Sequence, residues 1–374
     1  MRALIVTSPG IGHLFPTVST AWALRAAGHD VLVATGGHHE LAAHAGLPTV
    51  DVAPGVDFGA VFRNFFAEHG TPGGSDVVRS AGLDFVGELF ATVSRHFVDH
   101  TVELARTWRP DVVLYTPLQG AGQLAAQVVG VPSIAHTIGI AQPSILWTSV
   151  ARHLAAEYER FGVAPKDPVR TLDVTPTSLR MPGPGDRLPM RYVPYNGGAV
   201  LPPWVLAPRD RPLVTVTLGS VVPQLAGGAA LRPFVAAAGA VTADFVILSG
   251  GADPADFGAL PDNVRVADWV PLGAVLARSA AVIHHGGAGT TLTALDAGLP
   301  ALVLPQGADQ FANAEVVAKA GAGAVVTPND LDADRITELL AATQLRTAAQ
   351  EIAAEMAAMP APAQLVPEIV GVAC

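Results

Sequence analysis

Residues 284–310 read HHGGAGTTLTALDAGLPALVLPQGADQ, and this stretch decides which kind of sheet the chain can build. It follows the apolar run Ala280–Ile283, which predicts a buried strand, and it continues into a segment of helical composition. Gly286, Gly287 and Gly289 leave the backbone uncrowded where the strand turns into the helix. At such a turn, free N–H groups and the positive end of the helix dipole can hold a phosphate. The stretch therefore predicts a βα unit with a diphosphate-binding turn, although many glycine-rich turns only need a positive φ.

Short apolar strands alternate with helical segments on both sides of this stretch. In the first half the predicted strands are Arg2–Thr7, Asp30–Ala34, Thr49–Val52, Asp111–Tyr115 and Ser133–Ile138. In the second half they are Leu213–Leu218, Asp244–Leu248, Val264–Ala267, Ala280–Ile283, Ala301–Leu304 and Ala324–Val326. Strands that alternate with helices favour a parallel sheet. The predicted fold class is α/β, with two Rossmann-like, doubly wound parallel-sheet domains that face each other across a cleft.

Prolines and glycines recur from Pro165 to Arg211, which is the composition of a loop-rich passage between domains. We therefore predict an N-terminal domain at residues 1–200, a linker at 201–211 and a C-terminal domain at 212–374. The segment Asp57–Ser75 is aromatic and then glycine-rich, and it interrupts the rhythm of the first half. It predicts a mobile surface excursion.

The composition excludes several classes of protein. Of the 374 residues, 50% are hydrophobic, which is enough for two domains of ordinary size. A net charge of −10 without a basic patch argues against a nucleic-acid partner. No apolar run reaches the roughly 20 residues that a membrane helix needs. The only cysteine is Cys374, so an intrachain disulfide is excluded and a cytoplasmic location is expected. The oligomeric state, a homodimer included, is left open.

The first βα turn, Ser8–Pro16, carries half of a dinucleotide-binding fingerprint. Its glycines match the first part of the motif, but Phe15 stands where the third glycine belongs. No acidic residue closes the second strand after Ala34, where a carboxylate would bind the ribose, so an NAD site is disfavoured. His13 in the same turn titrates near neutral pH and can take a proton from a hydroxyl. By itself it is better explained as a solvent-facing loop residue, but opposite a phosphate-binding turn it becomes the candidate base.

Two other strand ends carry candidate ligand-binding residues. Trp269 can stack on a nucleobase, with a core or domain-interface tryptophan as the alternative. Ser220 offers a hydroxyl to a phosphate, although a plain turn would also explain it. Asp330 and Asp332 have the spacing of a metal-binding pair, but helix capping explains them better. We therefore predict no metal site.

Taken together, these features resemble the family 1 glycosyltransferases with two Rossmann-like domains, the fold called GT-B. The closer likeness is to bacterial enzymes that attach deoxysugars to antibiotic polyketides and glycopeptides, and it spans nearly the whole chain. The residues that carry the resemblance are Gly12-His13 with Pro16, Asp268–Pro271, His284–Thr290, Gly298–Pro300 and Pro305–Gln310.

The resemblance implies a role for each of these residues. His13 would be the general base that deprotonates the acceptor, in an inverting and metal-independent displacement. No cofactor is implied, because the nucleotide-sugar donor is a co-substrate. The residues expected to bind that donor are Gly12, Ser220, Trp269, Val270, His284, Gly287, Ala288, Gly289, Thr290, Asp309 and Gln310. Trp269 would stack on the nucleobase, and His284 with the turn amides would bind the diphosphate. Asp309 and Gln310 would hydrogen-bond the sugar.

Two departures from the family pattern bear on these roles. Thr116 stands where many relatives carry an aspartate that orients the catalytic histidine. Either Thr116 substitutes for it, or another carboxylate serves, or His13 works without a partner. Leu292 stands where plant relatives carry a glutamate that binds the ribose hydroxyls. Losing that contact matters less for a 2′-deoxyribose, which favours dTDP donors over UDP donors.

The acceptor side of the sequence leaves two readings open. Several apolar residues of the first half either line an acceptor pocket or belong to the core: Phe62, Phe65, Phe66, Phe85, Leu118 and Trp147. If several line the cleft, the acceptor is bulky and apolar, such as a polyketide aglycone. The leading hypothesis is a glycosyltransferase that moves a deoxysugar from a dTDP donor to a natural-product aglycone. The alternatives are an NAD-dependent oxidoreductase and a non-catalytic partner protein that binds sugar nucleotides.

Overall fold

The computed structural model describes residues 1–69, 75–140, 143–180, 186–220, 228–307 and 309–373. The chain forms two compact units, one of Met1–Tyr195 with Met359–Cys374 and the other of Asn196–Ala358. Each unit contains one parallel sheet and the helices that connect its strands. The predicted α/β class with two parallel-sheet domains is confirmed.

The first unit holds a seven-stranded sheet in which every strand pair is parallel, with the order β3-β2-β1-β4-β5-β6-β7. Its strands are β1 (Arg2–Val6), β2 (Asp30–Thr35), β3 (Thr49–Asp51), β4 (Val112–Tyr115), β5 (Ser133–His136), β6 (Arg170–Asp173) and β7 (Arg187–Pro189). Its helices before residue 196 are α1 (Ile11–Ala26), α2 (His39–His44), α3 (Phe58–Glu68), α4 (Ser75–Trp108), α5 (Gly120–Val129), α6 (Pro143–His153) and α7 (Ala155–Arg160).

The second unit holds a six-stranded parallel sheet with the order β10-β9-β8-β11-β12-β13. Its strands are β8 (Leu213–Thr217), β9 (Asp244–Leu248), β10 (Val264–Ala267), β11 (Ala281–His284), β12 (Ala301–Val303) and β13 (Gly323–Val325). The helices are α8 (Pro203–Leu206), α9 (Arg232–Ala238), α10 (Leu272–Leu276), α11 (Ala288–Asp296), α12 (Gln310–Lys319), α13 (Ala333–Ala341) and α14 (Thr343–Ala358). A last helix, α15 (Val366–Ala373), belongs to the first unit.

The central strands explain why the sequence shows continuous apolar runs rather than alternation. Every residue of β4, β8 and β11 is buried. In a parallel sheet covered on both faces, successive side chains enter two different apolar layers, so both sets must be apolar. In the first unit, the apolar core includes Phe97 and Leu124 and involves α4 and α5. In the second unit, the core includes Phe234 and Phe245, whose ring centroids lie 5.3 Å apart.

The segment predicted to be a mobile surface excursion contains a helix, α3, so the prediction was wrong for residues 58–68. The Asp57 carboxylate caps this helix by accepting the N–H of Ala60 at 3.0 Å. Phe58 and Phe65 lie seven positions apart on one face, and both are buried. The cap and the apolar face outweigh the glycines that follow. Residues 70–74 of the segment lie outside the described part of the chain.

The passage predicted to be loop-rich contains two strands, β6 and β7, which extend the first sheet. Their charged residues hide them from an apolar pattern. The carboxylate of Asp173 is buried at the end of β6 and pairs with Arg180 at 3.1 Å and Arg187 at 3.5 Å. Buried charges of this kind are tolerated only when paired. Residues 181–185 of this passage are outside the described ranges.

The C-terminal segment does not belong to the unit that precedes it in the chain. Met359–Cys374 belongs to the first unit, whereas the predicted C-terminal domain ran to residue 374. The N–H of Arg191 donates to the carbonyl of Pro360 at 2.8 Å, and residues 362–365 contact α1. Within the described ranges, no helix combines the length and apolar character needed to cross a membrane.

Candidate functional site

In each sheet, the strand order reverses between two neighbouring strands. Each has the order 3-2-1-4-5-6 when its strands are numbered from its own first strand, and the first sheet adds a seventh at the end. In open α/β sheets, ligands bind beyond the carboxyl ends of the strands at this reversal. The reversal lies between β1 and β4 in the first unit and between β8 and β11 in the second. His13 and Thr116 follow the first pair, and Ser220 and His285 follow the second.

The turn between β11 and α11 has the geometry expected for a phosphate-binding turn. Gly286 takes a φ of 89°, and a Cβ at this position would lie 2.9 Å from the carbonyl oxygen of Gln310. Gly287 is the N-cap of α11 and has no side chain to cover the end of the helix. The first turn, Ala288–Thr290, is half-buried, and the earliest of the helix's own hydrogen bonds runs from the N–H of Thr291 to Gly287. The N–H groups of this turn therefore point along the helix axis, as anion binding requires.

His284 ends β11 as a neutral imidazole with a defined tautomer. Its Nδ1 accepts the N–H of Gly286 at 3.0 Å, which places the ring proton on Nε2. Burial, with a smaller contribution from His285, lowers its pKa to about 3. Nε2 is buried and has no hydrogen-bond partner among the described residues. The side chain thus presents an unused N–H donor beside the turn.

His285 has a structural role that the sequence reasoning did not assign. Its ring lies between two glycines, because a Cβ at Gly219 would lie 2.6 Å from its Cε1 and one at Gly287 would lie 2.3 Å from its Nε2. The ring therefore fixes the spacing between the turn after β8, where Ser220 is half-buried, and the turn after β11. Burial lowers its pKa to about 4. The paired glycines are the sequence signal that could have revealed this contact.

Trp269 and Val270 lie beyond β10, at the same edge of the second sheet. Trp269 is 43% exposed, and its ring rests against Gly197, where a Cβ would lie 3.0 Å from the indole Nε1. Val270 is buried in an apolar cluster with Val205 and Val275, so only its main chain remains for a ligand. Leu292 on α11 is fully buried and offers no polar group at all.

Asp309 and Gln310 begin α12 and are tied into the turn by hydrogen bonds. The side-chain carbonyl of Gln310 accepts the N–H groups of Gln306 at 2.8 Å and Gly307 at 3.3 Å, which leaves its amide NH₂ as the donor. Asp309 accepts from the side-chain amide of Asn313 at 2.8 Å. Desolvation of the Asp309 carboxyl raises its pKa, and the bond from Asn313 partly offsets this rise.

Asn313 is a residue that the sequence reasoning missed. It is 1% exposed, and besides Asp309 its amide nitrogen donates to the carbonyl of Gly286 at 2.9 Å. One side chain therefore joins the phosphate-binding turn to the carboxylate that follows it. Its position four residues after Asp309, on the same face of α12, is the signal that could have identified it.

In the first unit, His13 lies in the first turn of α1. The helix begins at Ile11, because Gly10 takes a φ of 105° and turns the chain directly into it. Gly12 is exposed beside it. The His13 ring contacts Phe90, with centroids 5.3 Å apart. Its Nδ1 is buried without a partner in the described part of the chain, and burial lowers its pKa to about 4.

Thr116 does not replace the expected aspartate as a partner of His13. Its side chain is fully buried, and its hydroxyl oxygen makes no hydrogen bond within the described residues. Its backbone N–H donates to Val6 at 3.2 Å, which fixes it beside the end of β1. Within the described residues, neither Thr116 nor a carboxylate hydrogen-bonds to Nδ1 of His13.

The aromatic residues of the first unit divide into core and surface. Trp147 is buried and its indole N–H donates to Asp167 at 3.1 Å, and Phe65 and Phe85 are also buried. Leu118 is 9% exposed and belongs to the main core cluster. Phe62, Phe66 and Phe90 are half-buried, and Phe90 is the ring that contacts His13. The carboxylates of Asp330 and Asp332 cap helical turns, as predicted.

Comparison with known proteins gives a consistent result over both units. The model of the N-terminal domain of erythromycin biosynthesis protein CIII-like proteins matches residues 22–219. The model of the corresponding C-terminal domain matches residues 232–372. Together the two models span most of the chain; residues 284–310 lie within the second match, whereas His13 precedes the first.

Individual relatives agree with the family models. The elloramycin glycosyltransferase ElmGT of Streptomyces olivaceus is 40% identical over 98% of this chain and 96% of its own length. The crystal structure of the glycosyltransferase SnogD from Streptomyces nogalater is 42% identical, with a TM-score of 0.87 over 100% of this chain and 99% of that chain. The Streptomyces glycosyltransferase SsfS6, complexed with thymidine diphosphate, is 30% identical, with a TM-score of 0.82 over 99% of both chains.

Proposed function

Because this chain belongs to the family of erythromycin biosynthesis protein CIII-like glycosyltransferases, we propose that it transfers a deoxysugar from a dTDP donor to a hydrophobic natural-product aglycone. The chain is a glycosyltransferase, and relatives over nearly its whole length are named for transfer in elloramycin and tylactone biosynthesis. The donor nucleotide, the stereochemical course and the roles of individual residues are the parts that we propose.

The turn of the second unit is the observation that carries the donor half of the proposal. The N-terminus of α11 and the Nε2–H of His284 offer donors to a diphosphate, and the imidazole stays neutral at physiological pH. Trp269, exposed at the same edge of the sheet, would stack on the base. The full burial of Leu292 leaves that position without a polar group for ribose hydroxyls, which supports a 2′-deoxyribose and hence dTDP. A relative that binds thymidine diphosphate supports the same choice.

The leaving group determines which of these contacts accelerate the reaction. As the glycosidic bond to the β-phosphate breaks, negative charge grows on the departing diphosphate. Donors that strengthen at this moment lower the barrier, whereas equal binding of substrate and transition state does not. We assign this role to the first-turn amides of α11 and to His284. The proposal therefore needs no metal ion. The sugar would be held by the Asp309 carboxylate and the free amide NH₂ of Gln310.

The acceptor half of the proposal rests on His13. Its imidazole would take the proton of the acceptor hydroxyl while the acceptor oxygen attacks the anomeric carbon from the side opposite the nucleotide. Attack from that side inverts the configuration. The half-buried ring of Phe90 next to His13, with Phe62 beside Phe90, suits a flat, apolar acceptor.

Nucleotide binding and turnover test the two halves separately. Thermal-shift measurements with dTDP, UDP and NAD should show the largest stabilisation with dTDP; stabilisation by NAD alone would indicate an oxidoreductase. His13→Ala should lower sugar transfer by about 10²–10⁴-fold and leave dTDP affinity unchanged. An unchanged transfer rate would remove His13 from the mechanism. Binding of dTDP without turnover of any donor would indicate a non-catalytic partner protein.

A further inference from the structure

His13 is placed so that its protonated form is poorly stabilised. A neutral ring whose Nε2 can accept a proton carries its own proton on Nδ1, and once Nε2 is protonated this Nδ1–H belongs to a cation that needs an acceptor. Nδ1 is buried and finds none among the described residues. A buried donor left unpaired is destabilising, and more so when it is part of a cation. This increase falls on the step in which the base receives its proton.

The groups around His13 also disfavour its protonated form. Phe90 contacts the ring with an apolar face, and the first turn of α1 places the positive end of the helix dipole beside it. Thr116 occupies the place of the expected carboxylate, and its neutral hydroxyl is itself buried without a partner within the described ranges. Neither side chain offers a negative charge. The lowered pKa of His13, about 4, has the same physical origin.

A weak base restricts which hydroxyl can be activated. Phenols ionise near pH 10, as tyrosine does, whereas aliphatic alcohols ionise several pH units higher. General-base catalysis is efficient only when the base is matched to the proton that it removes. We infer that the acceptor of this enzyme carries a phenolic hydroxyl, activated by a partnerless His13, rather than an aliphatic one. The inference rests on the proposed function, because it assigns His13 as the base.

The aromatic surface beside His13 fits this class of acceptor. Phe90 lies 5.3 Å from the His13 ring centroid, and Phe62 lies 6.2 Å from Phe90 in an edge-to-face arrangement. Both phenylalanines are half-buried, so each keeps an accessible face. Aromatic rings at such spacing favour packing against another flat ring. If a phenol packs there, its ring contacts the phenylalanines and its hydroxyl lies near the adjacent His13.

The proposed step balances in protons and electrons. The phenolic O–H bond breaks, its proton passes to the Nε2 lone pair of His13, and the phenolic oxygen forms a bond to the anomeric carbon. The bond from that carbon to the β-phosphate oxygen breaks, and its electron pair leaves on the nucleoside diphosphate. The proton on His13 is then released to solvent.

Matched acceptors test the inference on the unmodified enzyme. We suggest 2-naphthol against 2-naphthalenemethanol, and 7-hydroxycoumarin against 7-(hydroxymethyl)coumarin, with dTDP-glucose, dTDP-L-rhamnose and dTDP-2,6-dideoxyhexoses as donors. The kcat/KM of the phenol in each pair should exceed that of the alcohol by about 100-fold or more. Equal or faster transfer to the alcohols would overturn the inference and leave the proposed function standing. Transfer to neither class would overturn the proposed function itself.

Restoring the carboxylate gives an independent test. A carboxylate near a histidine raises its pKa by about 1–3 units, so Thr116→Asp should raise transfer to the alcohols relative to the phenols by about tenfold. Thr116→Asn has nearly the same shape without the charge, and its ratio of phenol to alcohol rates should match that of the unmodified enzyme. Equal ratios in the two variants, with both shown to be folded by circular dichroism, would overturn the account of His13. If Thr116→Asp does not fold, the acceptor pairs decide the question alone.

Discussion

Replacing Asn313 by alanine is expected to weaken the binding of the sugar donor more than that of the nucleotide. The asparagine donates one bond to the Gly286 carbonyl at 2.9 Å and one to the Asp309 carboxylate at 2.8 Å, and it is 1% exposed. A neutral bond contributes about 0.5–1.5 kcal/mol and one to a charged group about 1.5–3 kcal/mol. Asn313→Ala should therefore lower the free energy of unfolding by about 2–4 kcal/mol.

A second asparagine of the same unit provides the control. Asn263 donates to the carbonyls of Ala238, Val241 and Ala243 at 2.9, 3.3 and 2.9 Å, just before β10 and so at the opposite edge of the sheet. The amide NH₂ has two hydrogens, so one of them is shared between two carbonyls, and about two neutral bonds predict a loss of stability of about 1–3 kcal/mol for Asn263→Ala, which overlaps that of Asn313→Ala. If stability alone mattered, the two variants would have the same kinetics.

The kinetic assay separates the effect of losing the contacts of Asn313 from the effect of lower stability. The donor KM of Asn313→Ala should rise about tenfold, while dTDP affinity falls by less, because Asp309 acts on the sugar. Losing the bond also raises the pKa of Asp309 further, since that bond opposes the effect of desolvation. The ionised carboxylate is lost as the pH falls through its pKa, so the acidic limb of kcat/KM should move to higher pH. Equal losses for dTDP and the sugar donor, or a pH profile identical to that of Asn263→Ala, would refute this account.

Other contacts give three further predictions. Trp269→Ala should weaken dTDP binding by about 1–3 kcal/mol in calorimetry through lost stacking, whereas Trp22→Ala, at a tryptophan of similar exposure in the first unit, should not; equal affinities would exclude stacking. Gly287→Ala should cut dTDP affinity at least tenfold, because its Cβ would lie 2.3 Å from Nε2 of His285 and the turn must shift; unchanged affinity would show that the spacing of the turns does not matter. Burial lowers the pKa of His136 to about 4, so the unfolded state binds the extra proton between pH 6.5 and about 4. In that window its contribution to stability should fall by about 1.4 kcal/mol for each unit by which the pH is lowered. Urea unfolding of His136→Gln should therefore show a smaller change of stability with pH than the unmodified protein.

The sequence predicted the parts of the fold that rest on apolar periodicity. The strands around Val214 and Ile283 are buried on both faces, and their runs of apolar residues indicate this directly. Strands β6 and β7 escaped prediction because Asp173 and Arg187 are buried as a charged pair. Helix α3 was missed because its start depends on the Asp57 cap, which is a local hydrogen bond rather than a pattern of hydrophobicity.

The candidate site shows the same division. Glycine turns and the positions of residues after predicted strands indicated His13, His284 and the first turn of α11 as candidates from the sequence. Asn313 and His285 were missed because their roles lie in tertiary contacts, one to a carbonyl 27 positions earlier and one to two glycines on different turns. The pKa values of the histidines were also beyond the sequence, because they depend on burial and on which hydrogen-bond partners are absent among the described residues.

The return of Met359–Cys374 to the first unit has a consequence for how the protein is made and recombined. Ribosomes release the N-terminal end first, so the first unit remains incomplete while residues 196–358 are synthesised and fold. The face of α1 that contacts residues 362–365 stays uncovered until those residues are translated, which exposes apolar surface to chaperones and to aggregation. Hybrid enzymes that exchange the donor unit between relatives therefore need two junctions, near 195/196 and 358/359. A single crossover would pair the α1 of one parent with the α15 of another.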